Sequence, residues 1–94
     1  MIGVVGGGQL ARLMVEAAAE RQVAVAVQTG STDDPACAGS SRQVIAAPRD
    51  VAGTRQLVVG CQGITFENEW VNIDALIPLE QQGVRFRPAL SALS

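Results

Sequence analysis

Residues 2–10 read IGVVGGGQL: a short apolar run, three consecutive glycines, then Gln9 and Leu10. The glycines strip every side chain from one stretch of backbone, so something approaches the chain closely there. A helix follows. Leu10, Leu13, Met14, Ala17 and Ala18 fall at i, i+3, i+4, i+7 and i+8, with Arg12, Glu16 and Glu20 on the other faces. This spacing predicts a helix that turns those five residues to the core and ends near Arg21 or Gln22. A strand–glycine turn–helix unit aims the free N–H groups and positive dipole end of the helix at the turn, a place suited to an anion or a ribose.

Outward from this unit, three more short apolar runs read as strands: Val23 to Val27, Gln43 to Ala46 and Gly63 to Phe66. A fifth, Val84 to Phe86, follows Gly83. A second helix is predicted from an Asp50 N-cap to about Val59, weakened by Gly53, and a third from an Asn72 cap over Ile73 to Gln82. Pro78 falls inside the third, which predicts a kink or a split into two turns. The stretch from Gln28 to Ser41 reads as the longest loop, with Asp33-Asp34-Pro35 opening one short helical turn. This order is that of a doubly wound α/β domain: a mainly parallel sheet of about five strands with helices on both faces.

Composition narrows the function. Ninety-four residues fit one domain, and only three aromatics leave the core to Val, Leu, Ile and Ala. Seven arginines against nine carboxylates, for a net charge of −2, show no basic stripe, which speaks against nucleic acid as a partner. There is no lysine to grip a phosphate or form a Schiff base, and no histidine to act as general base or metal ligand. Cys37 and Cys61 stand apart with no CxxC, and read as ordinary thiols of a reduced cytosol rather than a metal site. No window approaches the length of a membrane helix, and the N-terminus lacks a signal-peptide pattern, so the expected location is cytoplasmic.

Gly6, Gly8 and Ala11 satisfy G-x-G-x-x-G/A, the dinucleotide fingerprint. That fingerprint needs an acid at the end of the second strand, and Gln28 stands there instead. A second cluster, ITFENEWV at residues 64–71, follows the fourth strand. In a doubly wound order the first and fourth strand ends are neighbours, so Glu67 and Glu69 are expected beside the glycine turn, two acceptors next to a row of backbone donors. The plainer role for either glutamate is to cap a helix or to lie in solvent. Trp70 reads as a packing residue rather than a stacking platform.

Together, VVGGGQLARLM, ITFENEWV and GVRFRPALSAL resemble the N-terminal domain of the 5-(carboxyamino)imidazole ribonucleotide synthetase family, ATP-grasp enzymes of purine biosynthesis. The resemblance covers essentially the whole chain. It implies a Rossmann-like pre-ATP-grasp domain whose ATP-grasp and C-terminal domains are absent here. It also implies a parent reaction: ATP and bicarbonate give carboxyphosphate, and the exocyclic amine of aminoimidazole ribonucleotide takes up the carboxyl group. ATP and magnesium are implied to bind the absent domains, so no cofactor, metal or catalytic residue is assigned to this chain. Carried over by position, the implied substrate contacts are Gly7, Gly8, Gln9, Leu10 and Glu67, with Glu69 matching the family's second glutamate. Ala11 replaces the family's usual glycine, and ENEW replaces the common EFEN, so Asn68 and Trp70 inherit no role. A homodimer is implied for the full-length protein, and the 94 residues alone are expected to expose apolar surface and to be inactive.

Two competing readings stay open on the residues. One is a free-standing dinucleotide-binding or regulatory module. The other is a structural module whose glycine turn serves packing alone.

Overall fold

The computed structural model describes residues 1–67 and 71–92. Five strands, β1 (Ile2–Val5), β2 (Val25–Thr29), β3 (Arg42–Ile45), β4 (Gly63–Phe66) and β5 (Phe86–Arg87), alternate with three helices, α1 (Gln9–Glu20), α2 (Val51–Leu57) and α3 (Ile73–Gln81). The sheet order is β3-β2-β1-β4-β5, and every pairing in it is parallel. This is the doubly wound α/β architecture expected from the alternation of short apolar runs with helical segments. β1 lies at the centre, with Val5 beside Gln28 on one flank and beside Phe66 on the other.

Side chains alternate across the strands and build two cores. On one face, Val4, Val25 and Val27 pack against Ala11 and Val15 of α1 and against Ala36, from a 3-10 turn at Pro35–Cys37. On the other face, Val5, Ala26, Val44, Ile64, Phe66 and Phe86 pack against Leu57 of α2 and Leu76 and Leu79 of α3. Phe66 and Phe86 stack there with ring centroids 5.6 Å apart. The crossovers leaving β1 and β4 therefore run over opposite faces of the sheet.

Caps set several boundaries. The Asp50 carboxylate accepts from the N–H groups of Ala52 and Gly53, and the Asn72 side chain accepts from Ala75, as the residue types at those positions predict. α2 stops at Leu57, two residues short of expectation. α3 runs unbroken through Pro78 rather than splitting. Pro78 and Asp74 are both exposed, so the bond from residue 78 that a proline forgoes lies on the watered side of the helix. The Asp33-Asp34-Pro35 turn forms as expected.

Two further expectations fail. Leu10 and Leu13, placed in the core by periodicity, are 50% and 59% exposed, and Ala17 is exposed as well. The buried stripe of α1 is Ala11 and Val15, flanked by Met14 and Ala18. Small residues let the helix lie close on the valines of β1 and β2, and that close approach decides which of two apolar stripes faces the sheet. The second failure concerns β2, which starts two residues late and takes Gln28 and Thr29 into the strand. Both are buried, and Gln28 is fully satisfied. Its amide donates to the carbonyls of Ala47 (2.9 Å) and Asp50 (3.0 Å), and its oxygen accepts from the Thr54 hydroxyl (2.8 Å).

The difference in burial between Leu57 of α2 and Leu13 of α1 has a measurable consequence. Leu57→Ala is expected to cost about 2–5 kcal/mol of stability, as for other buried leucines. Leu13→Ala is expected to change it by no more than about 0.5 kcal/mol. Urea unfolding followed by circular dichroism separates the two.

Candidate functional site

In an open α/β sheet, ligands gather where neighbouring crossovers diverge at the carboxyl ends of the strands. Here that point lies between β1 and β4. The ladder extends past both strands: the Glu67 N–H donates to the carbonyl of Val5 (2.9 Å), and the Gly6 N–H donates to that of Gln28 (2.8 Å). Glu67 is thereby fixed at the tip of β4, beside the turn that joins β1 to α1.

Its carboxylate closes the N-terminus of α1. The Gly8 N–H donates to Oε1 (3.1 Å), and the Ala11 N–H donates to Oε2 (2.9 Å). Gly8 is the N-cap residue and has no side chain of its own with which to cap. Glu67 does from across the sheet what a Ser or Asp does locally, and its negative charge faces the positive end of the helix dipole. Among the described residues, the N–H groups of Gln9 and Leu10 meet no acceptor, and both residues are exposed. They are the donors the turn still offers.

The glycines are explained by the protein's own side chains. Gly6 has φ +120°, and a Cβ there would lie 2.6 Å from the Cβ of Glu67. A Cβ on Gly8 would lie 2.9 Å from Glu67 Oε2, and one on Gly7 would lie 2.6 Å from the Cβ of Thr29. Gly7 is buried, while Gly8 is partly open. Of the sequence-assigned site residues, the structure brings Gly7, Gly8, Gln9, Leu10 and Glu67 together. Glu69 lies outside the described residues, as do Asn68 and Trp70. Sequence reasoning missed Thr29, whose hydroxyl donates to Asp34 Oδ2 directly against Gly7.

The ribose-binding half of a dinucleotide site is filled from within. Gln28, at the expected place of the ribose-binding acid, turns both amide donors to Ala47 and Asp50 and its oxygen to Thr54. Among the described residues, no three His, Cys, Asp or Glu side chains are grouped to hold a metal ion. An open groove of about 310 Å³ lies elsewhere, lined by Ile73, Asp74, Ile77, Glu80, Leu90 and Ser91. None of the described turn residues borders it. Cys37 and Cys61 are free thiols. Burial pushes both above the ordinary thiol range, and the charges of Asp34 and Asp33 add to the rise at Cys37.

The chain is similar to known proteins over its whole length. All 94 residues match the model of the ribonucleotide synthetase preATP-grasp domain. The chain is 46% identical over 93 residues to an N5-carboxyaminoimidazole ribonucleotide synthase of Synechococcus elongatus, covering 99% of this chain and 24% of the relative. It superimposes with a TM-score of 0.92 and 28% identity on N5-carboxyaminoimidazole ribonucleotide synthetase from Thermotoga maritima, covering 98% of this chain and 26% of that one. The TM-score is 0.83, at 30% identity, against N5-carboxyaminoimidazole synthase from Aspergillus clavatus in complex with ADP and 5-aminoimidazole ribonucleotide, covering 98% and 24%. The chain thus spans about a quarter of the length of these relatives.

Two outcomes follow from the site. Glu67→Ala is expected to cost about 0.5–2 kcal/mol, the range of a lost N-cap, with faster amide exchange at Gly8 and Ala11 read by NMR. Because burial favours the neutral thiol, both cysteines are expected to react with iodoacetamide at pH 8 more slowly in the folded chain than in urea. The gap narrows as the pH rises.

Proposed function

We propose, for a chain that belongs to the ribonucleotide synthetase preATP-grasp domain family, that it forms the N-terminal domain of an ATP-dependent ligase that carboxylates aminoimidazole ribonucleotide. The observation that carries this reading is the turn at the β1/β4 divergence. Glu67 anchors it, while Gln9 and Leu10 are exposed and their N–H groups meet no acceptor among the described residues. These groups suit the hydroxyls and ring nitrogens of a ribonucleotide, which need several directed hydrogen bonds rather than one charge.

In this reading the chain's residues bind and orient, and the reacting groups come from elsewhere in the protein. Gly8, Gln9 and Leu10 line the ribonucleotide. Gly7 keeps the backbone close to its neighbours, and Glu67 fixes the turn and presents its carboxylate edge to the substrate. Glu69 is assigned to the same wall. The remaining three-quarters of the protein supply ATP and magnesium binding and carry carboxyphosphate. The amine of the ribonucleotide attacks the carboxyl carbon of that intermediate, and phosphate leaves. We assign the enzyme to the cytoplasm and read it as a homodimer, with the exposed Leu10 and Leu13 covered by the rest of the protein.

The reading of the turn as packing alone has one observation in its favour, since each glycine is already required by Glu67 or Thr29. Gln9 decides between them, because its exposed side chain serves no packing role. In the full-length enzyme, Gln9→Ala is expected to raise KM for aminoimidazole ribonucleotide by about 3- to 10-fold, the value of one hydrogen bond, with KM for ATP unchanged. Unchanged KM for the ribonucleotide would leave the packing role alone. Coupled ADP release from the 94 residues by themselves is expected to be absent.

A further inference from the structure

The glycine turn is held from two sides, and only one of them is the glutamate. On the β2 side, Thr29 is buried at 2% exposure, and its hydroxyl donates to Asp34 Oδ2. Both press on Gly7, where a Cβ would lie 2.6 Å from the Cβ of Thr29 and 3.1 Å from that of Asp34. The Ala36 N–H then donates to the carbonyl of Gly7 (3.0 Å). Pro35 opens the 3-10 turn that carries Ala36, and Ala36 is itself fully buried in the α1-side core. Segment 34–36 is therefore built into the fold and occupies the ground beside the turn above β2.

In a dinucleotide site, the acid near the tip of β2 reaches outward to a ribose. Here Gln28 holds that position, and Asp34, an acid of the loop that follows β2, is drawn inward to Thr29 and the turn. We propose that Thr29 and Asp34 are positioning residues of the ribonucleotide site: they brace the Gly7 peptide and close the β2 side of the turn. The ribonucleotide then reaches Gly8 and Gln9 only from the β4 side, over Glu67. The inference rests on the reading of the turn as a ribonucleotide site. The Gly7 carbonyl that Ala36 holds and the Gly8 N–H that Glu67 holds belong to one planar peptide unit, so the two braces fix the same peptide from opposite sides. Together they set where Gln9 points, and losing one loosens the ligand contacts without touching the reacting atoms.

The test uses the full-length enzyme. Thr29→Val removes the hydroxyl and keeps the shape, and Asp34→Asn keeps the size and removes the charge. Each is expected to raise KM for aminoimidazole ribonucleotide about tenfold, with kcat within about twofold and KM for ATP unchanged, the split expected when ground-state positioning alone is lost. Thr29→Ser, which keeps the hydroxyl, restores the low KM. Should Asp34→Asn not fold, the Thr29 pair carries the test. An unchanged KM in Thr29→Val overturns the proposal, as does a joint rise in both KM values with a fall in kcat, which marks general loosening. If Gln9→Ala raises KM and Thr29→Val does not, the brace alone is wrong; if neither does, the ribonucleotide reading of the turn fails with it.

Discussion

The carboxylate of Glu67 against the N-terminus of α1 is the interaction on which the rest of the structure turns. β1 ends in residues that cannot cap a helix, because the glycines needed for the turn have no side chains. A residue from the neighbouring strand end supplies the missing acceptors, and it does so only because β4 pairs with β1 in the register that sets Val5 beside Phe66. The sheet order, the glycines and the glutamate are thus one constraint seen from three positions. Replacing any glycine of the turn by a larger residue crowds Glu67 or Thr29, and a different register would carry the carboxylate away from the helix.

Much of this fold is legible in the residues. The apolar runs at Ile2–Val5 and Gly63–Phe66 coincide with β1 and β4, and the residue types at Asp50 and Asn72 mark the caps of α2 and α3. These are local signals, in which a run of apolar residues or a single capping side chain decides the outcome. The face of α1 was not legible, because the helix carries two apolar stripes. Periodicity registers both, and the larger residues of the outer stripe weigh more in any count of hydrophobicity. What decides is the separation between helix and sheet, which favours alanine over leucine. That quantity belongs to the packed pair, not to the helix.

The site divides in the same way. That Glu67 stands beside the glycines follows from sheet order, which the alternation of elements already implies. That it caps α1 with both oxygens depends on where its side chain turns, and nothing local specifies this. Gln28 shows the opposite case. Its neutrality argued against a dinucleotide, and its burial supplies the reason, since an acid there would face the carbonyls of Ala47 and Asp50 without protons to give them. The family match extends the same reasoning over the whole chain, because the glycine run and the TFE segment are far apart in sequence and adjacent in space.

A cap lent from residue 67 also orders events in time. α2 and α3 carry their caps on the preceding residue, so their first turns can settle as soon as those segments emerge. The first turn of α1 cannot. Its acceptors arrive from 59 residues away at Gly8 and 56 residues away at Ala11, after the chain has laid down β2 and β3 and crossed back to the centre of the sheet. Contacts that close a loop of that span come late in folding, once its entropic cost has been met. The earliest helix in the chain is therefore completed by one of its later strands, and the turn reaches its final shape only when the central sheet is in place.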